Sequence, residues 1–314
     1  MNVTRTTPPR PIDVTAVLPQ LAPLARPAIR LHPRPGSPSA HDSSVGGPLL
    51  WPADEPWPYC HESHDEAGDL YEAYEVLARS PDDWDEGPNP MVPVAQLYVR
   101  DIPLLRPPGD ADLLQVLWCP FEHEPDYKPP TALFWRTSTE VTDILAAPPG
   151  PFAVEYDGYV PRPCVLAPEQ ITEYPHSTEL SPELRQQLRD RGRWPSAGPG
   201  ADSSDASRPE AFYNHHLSLA PGWKVGGRPP WGLTDPVARF CAACGAGMVP
   251  LLTVCSGEWD RTKRSWIPYE DRSLTPLDDR GVSNPPDVHI SRTNHLQLYV
   301  CPESPEHPHT DLIQ

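Results

Sequence analysis

The sequence predicts an α+β fold that is predominantly β, and three observations carry that expectation. Proline supplies 47 of the 314 residues, about three times its average usage, while the apolar share of 38% is below the globular norm. Proline lacks the donor that a sheet ladder needs and kinks helix interiors, so elements must be short and separated by turns. The apolar segments are themselves short runs bounded by Pro, Gly, Asp and Ser, as strands are. Ten tryptophans nevertheless need a core to enter. The length suits one large domain or two ordinary ones.

Taken in order, IDVTAVLPQLAPLA (12–25) reads as short helical turns, because Pro19 and Pro23 forbid one long helix. AIRLH (28–32) is the first expected strand. After a polar loop comes GGPLLWP (46–52), then a wet acidic stretch rich in His, Glu and Asp up to about Pro90. Strands are expected at VPVAQLYV (92–99), DLLQVLWC (112–119), TALFWRT (131–137) and within PCVLAPEQITEY (163–174). The clearest helix is SPELRQQLRDRG. Ser181 is its N-cap, Pro182 takes the first helical position, Glu183 lies in the first turn and Gly192 stops it. Residues 194–211 have the composition of a flexible connector or exposed loop. HHLSLAPG, GGRPPWG, FCAACGAG, MVPLLTV and HLQLYVC follow, with LSLA reading as strand.

An internal echo runs through these segments. GGPLLWP, MVPVAQLYV and LLQVLWCPFEH in the first half meet GGRPPWG, MVPLLTV and HLQLYVCPESPEH in the second, in the same order. Met91-Val92-Pro93 matches Met248-Val249-Pro250, and Gln115 with Cys119-Pro120 matches Gln297 with Cys301-Pro302. The expectation is an internal duplication of strand-rich halves sharing one core. Residues 1–193 make the first half with an N-terminal extension, 194–211 the connector, and 212–314 the second half.

The formal charge of −18 repels phosphate backbones, and no basic stripe offsets it, so nucleic acid and anionic membranes are disfavoured partners. No window is apolar enough to span a membrane, and the N-terminal stretch lacks the apolar run of a secretion signal. Seven cysteines, an odd number spread thinly, suit a reducing cytoplasm better than a disulfide framework.

Cys241 and Cys244 form C-x-x-C-G, the geometry of a metal knuckle, in which small residues let backbone N–H groups approach the sulfurs. Zinc wants four ligands. Cys301, at the end of an expected strand, is the best third, and His307 or His309 follows it. The preferred set is Cys241, Cys244, Cys301 and His307, holding structural zinc. Cys255, Cys119 and His123 stay open as other ligands. No helix follows the pair to depress a thiol pKa, so thioredoxin-like redox chemistry is disfavoured. Cys60, His61 and His64 offer a second metal cluster or a hydrated loop. His215 and His216, before a strand-like run, would point to opposite faces.

For ligand binding, PGWKVGGRPPWG gathers Trp223, Lys224, Gly226, Gly227, Arg228 and Trp231, a cationic and aromatic set suited to an anionic or planar group. Gln96 interrupts an apolar strand with an amide that must be hydrogen-bonded or read a ligand, and Gln115 and Gln297 pose the same question. The glycine pairs match no phosphate-loop pattern. HExxH and G-x-S-x-G are absent, and Glu258 with Asp260 is too little to define catalysis.

The ordered set GGPLLWP, VPVAQLYVRDIP, LLQVLWCPFEH, WKVGGRPPWG, CAACGAGMVPLLTV and HLQLYVCPESPEHP resembles the YwqG-like, DUF1963 family of bacterial proteins over about residues 28–309. The resemblance implies a mixed, mainly β fold with a few helices and no established activity. It supports Gly226, Gly227 and Trp231 as a glycine-turn element and Gln96 as a strand amide. It also implies a further Cys shortly after Cys301, where this chain has Ser304, leaving His307 or His309 as replacement. The functional expectation is a cytoplasmic, zinc-stabilised protein that binds a small ligand or protein partner through its Trp/Gly-rich loops. The alternative is a hydrolase-type enzyme with an acidic, histidine-lined pocket.

Overall fold

The computed structural model describes residues 4–62, 64, 88–194, 208–274, 279–291 and 294–314. Most of the expected connector (195–207) and of the acidic stretch (63 and 65–87) lies outside the described residues. The chain is a mixed fold of antiparallel sheets with short helices.

The chain divides into two compact units. Unit one comprises Met1–His32, Ala167–Asn284 and Asn294–Gln314, and unit two Pro33–Leu166 and Pro285–Thr293. In chain order the strands of unit one are β1 (Arg26–Arg30), β10 (Glu169–Glu173), β11 (Lys224–Gly226), β12 (Val249–Cys255), β13 (His295–Val300) and β14 (Thr310–Ile313). They form one sheet in the order β10-β1-β11-β12-β13-β14. Unit two holds β2 (Arg34–Pro35), β3 (Ser44–Val45), β6 (Val92–Tyr98), β7 (Leu113–Trp118), β8 (Thr131–Arg136) and β9 (Cys164–Val165). Their sheet runs β2-β9-β3-β6-β7-β8. A small hairpin-like pair, β4 (Tyr59–Cys60) with β5 (Asn89–Pro90), stands beside these.

Four consecutive strands of the two sheets run in the same order. β3-β6-β7-β8 in one matches β11-β12-β13-β14 in the other. Both long central strands carry a register shift at the matched proline, between Pro93 and Ala95 and between Pro250 and Leu252. A proline cannot donate to the ladder, and a bulge is where the ladder can absorb that loss. The matched glutamines also make the same bond. Gln115 Nε2 donates to the Leu50 carbonyl (2.9 Å) and Gln297 Nε2 to the Pro230 carbonyl (2.7 Å). Leu50 and Pro230 each lie four residues after the first glycine of a Gly-Gly pair and directly precede a tryptophan.

β7 is buried along its whole length, which explains why LLQVLW reads as a continuous apolar run instead of alternating. Trp51, Trp57, Leu49, Met91 and Leu117 pack together in unit two. In unit one a helical core joins Val14, Leu18, Leu21, Leu180, Leu188, Phe212, Tyr213 and Leu217.

The helical expectations hold with shifted ends. α1 spans Val14–Val17 with Asp13 as cap, and a 3-10 turn covers Pro19–Leu24. α2 spans Pro182–Arg189, where the Ser181 hydroxyl accepts from Leu184 N–H (3.3 Å). It stops before Gly192, since Asp190 closes it and caps the next turn by accepting from Gly192 N–H. One expectation fails. LSLA (217–220) is not a strand: α3 (Pro209–Phe212) continues as a π-helical turn over Tyr213–Ser218, and Leu219 and Ala220 follow it outside any strand. Phe212, Tyr213 and Leu217 fit the helical core only on that path, and this packing overrides local preference.

Candidate metal centres

The CxxC turn sits just before β12 and is closed by its own backbone. Cys241 N–H donates to Ala246 O (2.8 Å) and Gly245 N–H to Cys241 O (2.8 Å). Gly245 has φ +74°, the left-handed region that a residue with a Cβ resists. Phe240 and Gly247 bridge across the base of the turn. Cys301 is the residue after β13, and His307 is set by a turn in which its N–H donates to Ser304 O (3.1 Å).

These segments bring Cys241, Cys244, Cys301 and His307 together, with all four donor atoms within 4.8 Å of one another. Cys241 Sγ lies 3.5 Å from His307 Nδ1, Cys244 Sγ 3.4 Å from Cys301 Sγ, and His307 Nδ1 3.4 Å from Cys301 Sγ. A tetrahedral zinc with its usual Zn–S and Zn–N lengths has donor edges of about 3.5–3.8 Å. The donor set fits. Burial opposes ionisation of Cys301, but the Ser304 and Glu303 N–H groups, the His307 ring and the Cys244 thiol bring it down to about 6. At Cys244 the Ala246 N–H favours the thiolate, but the neighbouring Cys301, burial and Cys241 together raise it. Backbone N–H groups aimed at sulfur are what a metal-bound thiolate uses.

A second cluster lies in unit two. Cys60 ends β4 and Cys119 follows β7, with Cys119 N–H donating to Pro130 O (2.9 Å). Cys60, His64, Cys119 and His123 have their donor atoms within 4.8 Å of one another. His123 Nε2 lies 3.7 Å from Cys60 Sγ and 3.4 Å from Cys119 Sγ, and His64 Nε2 lies 3.3 Å from Cys119 Sγ. The other His123 nitrogen, Nδ1, pairs with Glu62 at 3.0 Å. The Cys60 thiol is lowered, chiefly by the Cys119 thiol, which is raised beside it. Sequence grouping placed His61 here and left Cys119 and His123 for the CxxC site. The structure corrects both: His61 is exposed outside the cluster, and the Cys119–His123 loop belongs to unit two. The available signal was the Cys-Pro followed by His, shared by Cys119 and Cys301. Cys255 donates its thiol to Gly257 O (2.8 Å), and His309 is not among the four donors.

The remaining sequence-nominated residues are occupied internally. Trp223 and Lys224 are buried, and Lys224 Nζ binds Glu173 Oε1 at 2.6 Å. Arg228 donates from NH2 to Leu24 O (2.6 Å) and from its backbone N–H to Glu173 Oε2 (2.8 Å). Gly226 and Gly227 both have φ +69°, and a Cβ on Gly227 would lie 2.4 Å from Glu173 Oε2. Trp231 is half-buried beside them. This set therefore presents no open cationic face, because Glu173 absorbs it. Gln96 is fully buried: its Oε1 accepts from Leu50 N–H (2.7 Å) and its amide donates to Ala40 O (2.7 Å). His216 is buried and bonded to Ser265 Oγ at 2.8 Å, while His215 is half-buried. Glu258 meets His32 Nδ1 (3.0 Å), a buried residue with φ +46° whose other nitrogen reaches Glu169 (3.2 Å). No sequence pattern announced that triad.

Unit two also holds a cavity of about 530 Å³ lined by Glu122, Tyr156, Asp157, Asp287, His289 and Ser291. Ser291 Oγ donates to Glu122 (3.1 Å), and His289 pairs with Asp287 (3.2 Å). Among the described residues no helix is long and apolar enough to cross a membrane. No protein family model and no curated protein matches the chain.

Proposed function

We propose that the chain is a non-enzymatic binding protein whose fold is stabilised by structural zinc at Cys241, Cys244, Cys301 and His307. The observation that carries this reading is the closed donor set. Four protein ligands at tetrahedral spacing leave no position for substrate or a reactive water. The metal would join the turn before β12 to the end of β13, and its binding energy would be folding energy. The matched strand orders, prolines and glutamine bonds support an internal duplication.

The small-ligand part of the reading rests on the unit-two cavity and not on the Trp/Gly-rich loops, whose charges are already paired. A hydrolase is disfavoured there. The Ser291 hydroxyl is bonded to Glu122 and His289 pairs with Asp287, so the described cavity lining shows no serine–histidine pair of the kind that activates a hydrolase nucleophile. The test is zinc content with thermal unfolding before and after chelation. Bound zinc, and a large fall in Tm on removing it, is expected. Unchanged zinc and Tm in Cys241→Ser with Cys301→Ser would overturn the proposal.

A further inference from the structure

We infer that Cys60, His64, Cys119 and His123 form a second zinc site, a closed Cys2His2 centre that takes one divalent ion independently of the Cys241 site. The donor geometry is the first reason. Both histidines turn Nε2 toward sulfur, at 3.3–3.7 Å, close to the edges of about 3.5–3.8 Å that a zinc tetrahedron needs.

The outer contacts are the second reason. Glu62 holds His123 through Nδ1 (3.0 Å), which fixes the ring with Nε2 directed at the cluster. A carboxylate behind a ligating imidazole is the usual support of a zinc-bound histidine. The N–H of Glu62 points at the Cys60 sulfur and that of Phe121 at the Cys119 sulfur. Each donor lies two residues after its cysteine, the relation that Ala246 has to Cys244 and Glu303 to Cys301. Phe121 covers the other side, its ring 4.7 Å from that of His64.

Position is the third. Cys119 follows β7 as Cys301 follows β13, and Cys60 ends β4, which pairs with the β5 segment just ahead of β6, as the CxxC turn lies just ahead of β12. The matched places in the two sheets therefore both present four soft or borderline donors.

The donor chemistry selects the ion. Thiolate with imidazole in a tetrahedron suits zinc, whereas calcium and magnesium need oxygen. Binding exchanges the two thiol protons for one dication, leaving a centre of no net charge, which suits a site where Cys119 is fully buried. The ion ties the β4 end to the β7 end in a unit whose β2, β3 and β9 have only two residues each.

The experiment uses the full chain purified with zinc. Elemental analysis should give two ions per chain, and zinc X-ray absorption should give five sulfur and three imidazole ligands shared between two ions. Cys60→Ser with Cys119→Ser should leave one ion, bound by three sulfurs and one imidazole. Should that variant not fold, His123→Cys decides. It keeps two ions and, after cobalt substitution, raises the thiolate-to-cobalt absorption by about one-fifth, as bound thiolates go from five to six. One ion per chain in the three-sulfur environment, or two ions retained in the double serine variant, overturns the inference. A single ion with two sulfurs and two imidazoles would instead refute the Cys241 site and leave this one standing.

Discussion

Glu173 shows how one carboxylate can organise a buried neighbourhood. It is fully buried and accepts from Ala220 N–H (2.9 Å), Lys224 Nζ (2.6 Å) and Arg228 N–H (2.8 Å). Burial drives the Lys224 pKa down, and Glu173 supplies the main opposing pull. Breaking such a pair from one side strands a charge, at a cost of about 3–5 kcal/mol. Glu173→Leu should therefore destabilise by about that amount in urea unfolding, and Lys224→Met by less, because Glu173 keeps two backbone donors. Equal costs would contradict this account. Two histidines set a pH dependence. Burial lowers His176 to about 4 and His295 to about 3. His176 Nδ1 also accepts from Thr178 N–H (3.4 Å), which protonation would end. Unfolded histidine titrates near 6.5, so the unfolded state takes up protons first as pH falls. Stability from these groups is complete above about 6.5 and drops below it, by about 1.4 kcal/mol per pH unit for each histidine. His295→Gln should remove about half of that joint slope between pH 6 and 5; an unchanged slope would rule out its share.

Among the elements, β6 and β7 are stitched by amides as well as by their ladder. Gln96 faces Gln115 across the pair, and its Oε1 accepts from both Leu50 N–H (2.7 Å) and Gln115 Nε2 (2.9 Å). Its own amide reaches Ala40 O (2.7 Å) and Asp42 O (3.1 Å), so one side chain fastens the 40–50 loop to the sheet. Gln96→Leu preserves the strand but leaves these groups unpaired, at roughly 1–3 kcal/mol for each one that stays buried. Faster hydrogen exchange at the Leu50 amide should accompany the stability loss; a Leu50 amide that stays protected would refute the fastening role. The long strands were legible because VPVAQLY, LLQVLW and HLQLYV are apolar runs with clear boundaries. The two-residue strands β2, β3 and β9 carry no pattern of their own and exist through their neighbours. The turn at 213–218 misled for the same reason, since its path is fixed by contacts with Leu18, Leu21 and Leu188. The CxxC knuckle was legible because its geometry is local. The other cluster was legible only in its Cys60 and His64 half, because His123 stands 63 residues from Cys60 and only the fold brings them together.

At the scale of the whole molecule, the chain passes between its units after His32, Leu166, Asn284 and Thr293. Unit two is largely an insertion whose ends adjoin in unit one, where Ala167 N–H donates to Leu31 O (3.0 Å). Such interleaving would ordinarily spread a local defect. The clusters argue for the opposite, because the four donors of each come from one unit alone. On the two-zinc reading, losing one ion would remove a cross-link between two segments of one unit and leave the other cluster's segments tied. Cys301→Ser should therefore raise hydrogen exchange in β12, β13 and β14, with β6, β7 and β8 little changed. Cys119→Ser should produce the reverse pattern, and chelation both. The structural zinc reading expects amplitudes that are large, since a structural zinc contributes on the order of 10 kcal/mol to the fold it closes. Exchange that rises equally in both sheets after either single substitution would show that the two units unfold as one, and would refute the independence of the two centres.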